Sequence, residues 1–255
     1  MTKRIASLEV VENKALKKDF CIISLKSDQT LPELKPGQFV EARVDGSPGT
    51  FLRRPLSIHD AVFSNNILKL LIQTVGEGTG TLSRLKAGDH LNLIYPLGNS
   101  FTLPEKGKKV LMTGGGCGIA PLLFLGRYLS RHNIIPDILL GFRSRERILE
   151  YSDYEAIGKV YITTEDGSEG EKGFVTDHSI LKRAQYDKIY CCGPELMMKA
   201  MARWSAQHGA DCEVSLENLM GCGIGACLCC VVDTKRGHVC TCTDGPVFNT
   251  KELKW

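Results

Sequence analysis

The chain has 255 residues, of which 43% are hydrophobic and 24% are charged. These fractions are those of an ordinary globular protein, and the length allows more than one domain. The formal net charge is only +3, and no block of Lys or Arg stands out, so we expect no nucleic-acid partner. The first residues lack the pattern of a signal peptide, and no apolar run approaches the ~18 residues of a membrane span. We therefore expect a cytoplasmic protein that does not contact membranes.

Residues 1–104 contain short segments of alternating polar and apolar residues, separated by turn residues such as Pro36-Gly37 and Gly88-Asp89. This pattern predicts antiparallel strands. We expect one short helix over residues 81–85, and strands over residues 5–11, 20–26, 38–44, 67–75 and 90–95. Short strands with close turns indicate a small antiparallel β-barrel as the first domain.

From residue 105 the pattern changes to strands that alternate with helices. The predicted strands cover residues 109–113, 138–141, 159–163 and 188–192, and the main predicted helices cover residues 119–129 and 195–207. This alternation is typical of a parallel α/β sheet, which we assign to residues 105–210. Residues 211–255 form a third, small segment that holds most of the cysteines.

Eleven cysteines are many for a reducing compartment, where structural disulfides seldom persist. Six of them lie between Cys222 and Cys242, and such crowding points to a metal site. The spacing Cys222-x4-Cys227-x2-Cys230, followed by a later cysteine, is that of plant-type ferredoxins, which hold a [2Fe–2S] cluster. The surrounding glycines let backbone N–H groups approach the sulfur atoms. The alternative is a structural zinc site, which prefers two well-separated pairs of cysteines.

Six cysteines compete for four ligand positions in this segment. Adjacent Cys229 and Cys230 should point in opposite directions, and we choose Cys230 because it completes the spacing. The local spacing does not decide between Cys240 and Cys242 as the fourth ligand.

Two predicted strands end in glycine turns. The first runs into Gly114, Gly115, Gly116 and Gly118 and then into a helix, so that free N–H groups and a positive helix end suit a diphosphate. The second ends at Cys192-Gly193-Pro194. Because parallel strands share one carboxyl edge, a dinucleotide could span both turns. The simpler interpretation is an ordinary glycine-rich turn, with Cys192 as a small buried residue.

Within the barrel, Arg54-Pro55-Leu56-Ser57 sets an arginine beside a rigid turn. Arg54 offers a planar fork for a phosphate oxygen, and Ser57 is a small hydrogen-bond donor. Thr79, at the beginning of a predicted helix, is a second candidate phosphate contact. The simpler interpretations are a surface arginine, a serine at a strand end and a threonine N-cap.

Taken together and in order, these segments resemble the ferredoxin–NADP reductase superfamily, and within it the electron-transfer subunits of type B dihydroorotate dehydrogenase. The resemblance covers nearly the whole chain. The matching motifs are Arg54-Pro55-Leu56-Ser57, the turn at residues 76–79, the barrel closure at residues 86–89 and 96–101, the glycine turn at residues 114–121, Cys192-Gly193-Pro194, and residues 242–248 with the pattern Cys-x-Asp-Gly-Pro-Val-Phe.

The resemblance implies FAD in the barrel, NADH in the α/β domain and a [2Fe–2S] cluster at the C-terminal end. The implied cluster ligands are Cys222, Cys227, Cys230 and Cys242, with Cys240 as the fallback for Cys242. The implied flavin contacts are Arg54, Pro55, Leu56, Ser57, Leu71, Ile72, Gln73, Gly78 and Thr79. Arg54 would pair with the FAD diphosphate. Ser57 at the reactive flavin edge, and Cys192 beside Gly193 and Pro194 at the nicotinamide, are the implied catalytic residues.

The family also implies a partner, an FMN-containing catalytic subunit that oxidises dihydroorotate in pyrimidine synthesis, in a heterotetramer with two copies of each subunit. An alternative is the same electron-transfer machinery serving a hydrogenase, a sulfur reductase or a ferredoxin-dependent transhydrogenase. A non-enzymatic redox sensor and a zinc-stabilised binding module are further alternatives. Arg143 and Arg145 follow a strand end and could grip the 2′-phosphate of NADPH, whereas the resemblance favours NADH.

Overall fold

The computed structural model describes residues 3–255. The first part is a closed barrel of six antiparallel strands in the order β1-β2-β5-β4-β3-β6, which confirms the predicted barrel. A short helix, α1, covers Glu77–Leu82. The strands are β1 (Arg4–Lys17), β2 (Phe20–Lys26), β3 (Phe39–Ala42), β4 (Arg54–Val62), β5 (Ile67–Gln73) and β6 (His90–Leu97).

Three local predictions for the barrel were wrong. Strand β1 continues to Lys17, because its first half pairs with β6 and its second half with β2. The predicted rigid turn at Arg54 is instead the beginning of β4. Pro55 is tolerated there because it pairs only with β3, and β5 joins β4 further along. Helix α1 begins at Glu77 rather than at residue 81.

The second part is a seven-stranded sheet in the order β10-β9-β8-β7-β11-β12-β15, which is parallel except for its last strand. This arrangement confirms the predicted parallel α/β fold. Its strands are β7 (Val110–Gly115), β8 (Asp137–Phe142), β9 (Lys159–Thr164), β10 (Glu171–Lys172), β11 (Lys188–Cys192), β12 (Asp211–Ser215) and β15 (Val247–Asn249). Its helices are α2 (Ala120–Arg131), α3 (Tyr151–Glu155), α4 (Ile180–Arg183) and α5 (Glu195–His208). Within residues 3–255, no helix is long and apolar enough to cross a membrane.

The cysteine-rich segment begins and ends in this sheet, because β12 pairs with β11 and β15 pairs with β12. Between these strands lies a hairpin of β13 (Val231–Thr234) and β14 (Gly237–Cys240). The sheet therefore extends beyond residue 210, and the domain boundaries given above stay predictions.

The cysteine-rich segment also packs against the barrel. Residues of β3 and β6 share one apolar cluster with four residues of the segment: Phe39, Ile94, Leu97, Met220, Cys230, Cys240 and Cys242. The Asn99 side chain, just after β6, donates a hydrogen bond of 2.7 Å to the carbonyl oxygen of Asp244. The segment is thus fixed to both parts of the molecule.

A buried ionic group joins the linker after the barrel to the α/β sheet. Lys188 Nζ, on β11, lies 2.6 Å from Asp211 Oδ2 and 3.0 Å from Glu213 Oε1, both on β12. Glu213 also accepts a hydrogen bond of 3.0 Å from the backbone N–H of Thr102. Since the side chains of Lys188 and Glu213 are each only 7% exposed, neither charge has water to replace a lost partner.

We therefore expect Lys188→Met to lower the free energy of unfolding by about 3–5 kcal/mol, because it leaves Glu213 buried without its cation. The double variant Lys188→Met/Glu213→Gln should recover part of this loss. Urea denaturation followed by the fluorescence of Trp204 and Trp255 measures both variants. Equal stability of Lys188→Met and the wild type would contradict the assigned role of this group.

Candidate cofactor sites

The two predicted glycine turns lie in contact. Strands β7 and β11 are parallel neighbours, and Gly114 is in register with Cys192. A Cβ atom built on Gly118 would lie 2.4 Å from the Cα atom of Gly193, so only glycine allows this approach. The structure therefore brings both turns to one edge of the sheet, as a bound dinucleotide requires.

A cleft of about 710 Å³ opens at this edge. Its walls include Gly115, Gly116, Gly118, Gly193 and Pro194 from the two turns, and Gln73 from the barrel strand β5. Predicted nicotinamide-side and flavin-side residues thus face the same space. Gly114 does not line the cleft.

Gly114 and Cys192 lie behind the cleft. A Cβ atom on Gly114 would lie 2.8 Å from Leu122 of α2, so this glycine permits close packing of the helix on the strand. Cys192 is fully buried, and burial raises the pKa of its thiol well above the usual value. The thiol is therefore a neutral group behind Gly193, and its catalytic role stays a prediction.

A slot in the barrel wall separates the two groups of predicted flavin contacts. Strands β4 and β5 pair from Ile58 and Leu70 to Val62 and Ile67. On the other side of the Ile58–Leu70 pair the two strands separate. Residues 54–57 form one side of the slot and residues 71–73 form the other. Backbone groups on the facing edges have no strand partner there, and a planar ligand with polar ring edges can satisfy them. The residues present therefore fit a flavin.

The side chains of Leu71 and Ile72 are buried in the protein, so their contribution to the slot is their backbone. Gln73 and Ser57 lie on opposite sides of it, and both are half-buried. Among residues 3–255, the structure gives no hydrogen-bond partner to the Ser57 hydroxyl, which leaves that group available to a ligand.

Arg54 lies over the beginning of α1. A Cβ atom on Gly78 would be 2.9 Å from Arg54 Nε, so the missing side chain makes room for the guanidinium group. This placement fits the predicted diphosphate contact. Thr79 is not the N-cap, which is Gly76. The Thr79 hydroxyl accepts hydrogen bonds from the N–H groups of Val75 and Gly76, at 3.0 and 3.2 Å.

The loop after Cys222 wraps its backbone around that sulfur atom. Cys222 Sγ accepts hydrogen bonds from the N–H groups of Ile224, Ala226 and Cys227, at 3.4, 3.3 and 3.4 Å. Burial works against ionisation of this thiol, but these donors outweigh it and lower the pKa of Cys222 to about 6. Gly223 adopts a φ of 68°, which favours glycine and lets the loop fold back.

Similar bonds reach two other predicted ligands. The N–H of Cys229 donates to Cys227 Sγ at 3.5 Å, and the N–H of Cys242 donates to Cys230 Sγ at 3.4 Å. Backbone donors to cysteine sulfur stabilise the thiolates that bind iron. The residues present therefore fit a [2Fe–2S] cluster.

The structure separates the adjacent cysteines as predicted. Cys230 is 2% exposed and packs against the barrel, whereas Cys229 is exposed to solvent. Both Cys240 and Cys242 are buried beside Cys230. Cys242 is the residue whose N–H reaches Cys230 Sγ, and it is 1% exposed, against 8% for Cys240. This contact supports Cys242 as the fourth ligand, which stays a prediction.

The two predicted 2′-phosphate contacts are in different places. Arg143 lines the cleft, whereas Arg145 is exposed and lies 3.5 Å from Glu169. Glu165 lines the cleft as well, and its negative charge disfavours an additional phosphate. Arg147 lines the cleft too, so the choice of NADH over NADPH stays a prediction from the resemblance.

Several cleft residues were missing from the predicted sites. Cys117, Phe174, Met197 and Glu217 all line the cleft. Glu217 follows β12, and burial raises the pKa of its carboxyl. Cys117 lies inside the predicted glycine turn, which was read for its glycines alone. No local motif marks the other three residues, because they come from separate loops and helices that only the folded sheet brings together.

A dinucleotide cleft beside a flavin slot, with a cysteine loop packed on the same barrel, defines a flavin- and nicotinamide-linked reductase that carries an iron–sulfur centre. Residues 217–254 match the family model described as the iron–sulfur cluster binding domain of dihydroorotate dehydrogenase B.

Curated relatives extend this match over the chain. The "Dihydroorotate dehydrogenase B (NAD(+)), electron transfer subunit" of Fusobacterium nucleatum subsp. nucleatum is 34% identical, covering 98% of this chain and 99% of the relative. Its counterpart in Caldanaerobacter subterraneus subsp. tengcongensis is 41% identical, covering 86% of each. The chain belongs to the family of electron transfer subunits of dihydroorotate dehydrogenase B. This confirms the predicted family.

A solved structure gives the same fold. A structure of the NADH-dependent reduced ferredoxin–NADP oxidoreductase, described for flavin-based electron bifurcation, superposes with a TM-score of 0.89 at 30% identity. The match covers 98% of this chain and 90% of that one. Together with the family model and the curated relatives, it confirms the predicted fold class and the predicted cofactors, which are FAD, NAD(H) and a [2Fe–2S] cluster.

The fourth cluster ligand can be tested with a matched pair of variants. We expect Cys242→Ser to lose most of the iron and the visible absorption of the cluster, because Cys242 is the more deeply buried candidate and its N–H contacts the sulfur of the predicted ligand Cys230. Cys240→Ser should retain both. Iron content and visible spectra of anaerobically purified variants provide the measurement. The reverse result would make Cys240 the ligand.

Proposed function

We propose that this chain carries electrons between NAD(H), FAD and a [2Fe–2S] cluster, and exchanges them with an FMN-containing catalytic subunit that oxidises dihydroorotate in pyrimidine biosynthesis. The observation that carries the proposal is the position of the cysteine loop, which packs on β3 and β6 of the barrel. Strand β3 is also the partner of residues 54–57 at the flavin slot. One strand thus lies between the two redox sites, and a short separation favours electron transfer.

Each part of the chain has a separate task. The glycine turns at Gly118 and Gly193 admit the dinucleotide, and Arg54 binds the flavin diphosphate. Ser57 lies at the slot and orients the reactive edge of the flavin, while Cys192 supports the turn that receives the nicotinamide. FAD itself supplies the chemistry, because it exchanges a hydride with nicotinamide and single electrons with iron–sulfur clusters.

The dihydroorotate chemistry belongs to the partner. The part of the cleft that the structure describes is built around the two dinucleotide turns, so we expect this chain alone to be inactive on dihydroorotate. The curated relatives are named electron transfer subunits, which supports a catalytic partner for this chain. A heterotetramer with two copies of each subunit is the assembly that we propose.

A second function is favoured by one observation. The solved structure with a TM-score of 0.89 is of an NADH-dependent reduced ferredoxin–NADP oxidoreductase. The same fold could therefore serve a ferredoxin-linked transhydrogenase. The curated relatives cover the chain at higher identity, between 34% and 41%, and favour the dihydroorotate partner.

Co-expression with the FMN-containing subunit tests the proposal. The purified complex should reduce NAD⁺ when dihydroorotate is added. Cys227→Ser should abolish this reaction through loss of the cluster, yet retain FAD and NADH-dependent dye reduction, because the cleft and slot lie outside the cysteine loop. Cys229→Ser, which changes the neighbouring exposed cysteine, should keep all three properties.

Two results would contradict the proposal. Failure of the wild-type chain to support dihydroorotate-dependent NAD⁺ reduction would remove the assigned partner. Loss of NADH-dependent dye reduction in Cys227→Ser would show that the flavin and cluster sites are not separate.

A further inference from the structure

Glu41 is a buried acid between the flavin slot and the cysteine loop. It belongs to β3 and is 0% exposed. Among residues 3–255, neither of its carboxylate oxygens has a hydrogen-bond partner. An unpartnered carboxyl group in the interior costs folding free energy, so its environment requires an explanation.

The register of the barrel places Glu41 beside the flavin slot. Glu41 is the cross-strand partner of Pro55, and Phe39 is the partner of Ser57. Cross-strand partners, and residues two apart on a strand, share one face of a sheet. The side chain of Glu41 therefore lies on the same barrel face as two residues of the slot.

On its other side, Glu41 meets the cysteine loop. A Cβ atom on Gly223 would lie 2.5 Å from Glu41 Cγ and 2.9 Å from Oε1. Only a glycine fits against this side chain, and Gly223 directly follows the predicted ligand Cys222. The Glu41 carboxyl is thus packed directly under the loop that carries the first cluster ligand.

The neighbouring cations do not bond to this carboxyl. The Arg53 guanidinium group donates to the backbone oxygens of Glu41 and Asn92 and, at 2.6 Å, to Asn92 Oδ1. The Arg54 guanidinium donates to the carbonyl oxygen of Leu52 at 2.9 Å. Burial raises the pKa of the Glu41 carboxyl to about 7, against the lowering effect of Arg53 and Arg54, so the group carries its charge in mildly alkaline solution. That charge is not neutralised by a direct contact, and it acts on the loop through an interior of low polarity.

We propose that Glu41 is a positioning residue for electron flow, whose negative charge lowers the reduction potential of the [2Fe–2S] cluster relative to the flavin. Adding an electron to the cluster places negative charge near this carboxylate, and the repulsion opposes reduction. The N–H donors around Cys222 act in the opposite direction, because they favour added negative charge on the sulfur atoms. By lowering the reduction potential, Glu41 makes the reduced cluster a better electron donor. The inference rests on the proposed function.

The test compares Glu41→Gln, which keeps the shape and removes the charge, with Glu252→Gln. Glu252 is a solvent-accessible acid of the same C-terminal segment, paired with Arg236. Redox titrations of the intact chain with FAD bound, followed by electron paramagnetic resonance in mildly alkaline buffer, give the cluster potential. We expect an upward shift in Glu41→Gln and none in Glu252→Gln, with unchanged iron and flavin content in both.

Glu41→Asp separates charge from packing, since it retains the charge on a shorter side chain. We expect its cluster potential to stay close to the wild-type value and below that of Glu41→Gln. An unshifted potential in Glu41→Gln, or an equal shift in Glu41→Asp, would overturn the inference and leave the proposed function intact. A wild-type chain without a cluster would instead overturn the proposed function.

Discussion

The parting of β4 from β5 is the constraint on which the rest of the molecule depends. The two strands pair up to Ile58 and Leu70 and then leave facing backbone groups without strand partners. Such groups need a hydrogen-bonding ligand or water, so the barrel is built to receive a polar planar molecule. The dinucleotide cleft reaches one side of this slot through Gln73, and the cysteine-rich segment is packed on the neighbouring strand β3. The dinucleotide cleft and the cysteine-rich segment therefore both lie next to the slot.

The cysteine loop follows a different physical rule, because its structure is governed by backbone donors rather than by apolar packing. Three N–H groups of the loop donate to Cys222 Sγ, and the same interaction lowers the pKa of that thiol to about 6. Cys230 and Cys242 instead join an apolar cluster with the barrel. One half of the site is thus open and polar, and the other half is buried. This asymmetry places the exposed half toward solvent and the buried half against the barrel.

Much of this organisation could be predicted from the sequence, since the glycine turns, the cysteine spacing and the strand–helix alternation are local signals. Strand β4 was missed because a proline usually indicates a turn. The sequence does not show that Pro55 lies where β4 has a strand partner on one side only. The membership of β12 and β15 in the seven-stranded sheet depends on contacts between distant residues, which no local pattern contains. Glu41 could not be recognised for the same reason, because its environment exists only where the loop at Gly223 meets the barrel.

The central claim is that a flavin and an iron–sulfur cluster share this barrel closely enough to exchange electrons. Its most direct test is an anaerobic titration of the purified chain with NADH, followed by visible absorption and electron paramagnetic resonance. The account predicts bleaching of a bound flavin together with the appearance of the signal of a reduced [2Fe–2S] cluster. A protein that contains no iron, or a flavin that is reduced while the cluster stays oxidised at every NADH concentration, would contradict it.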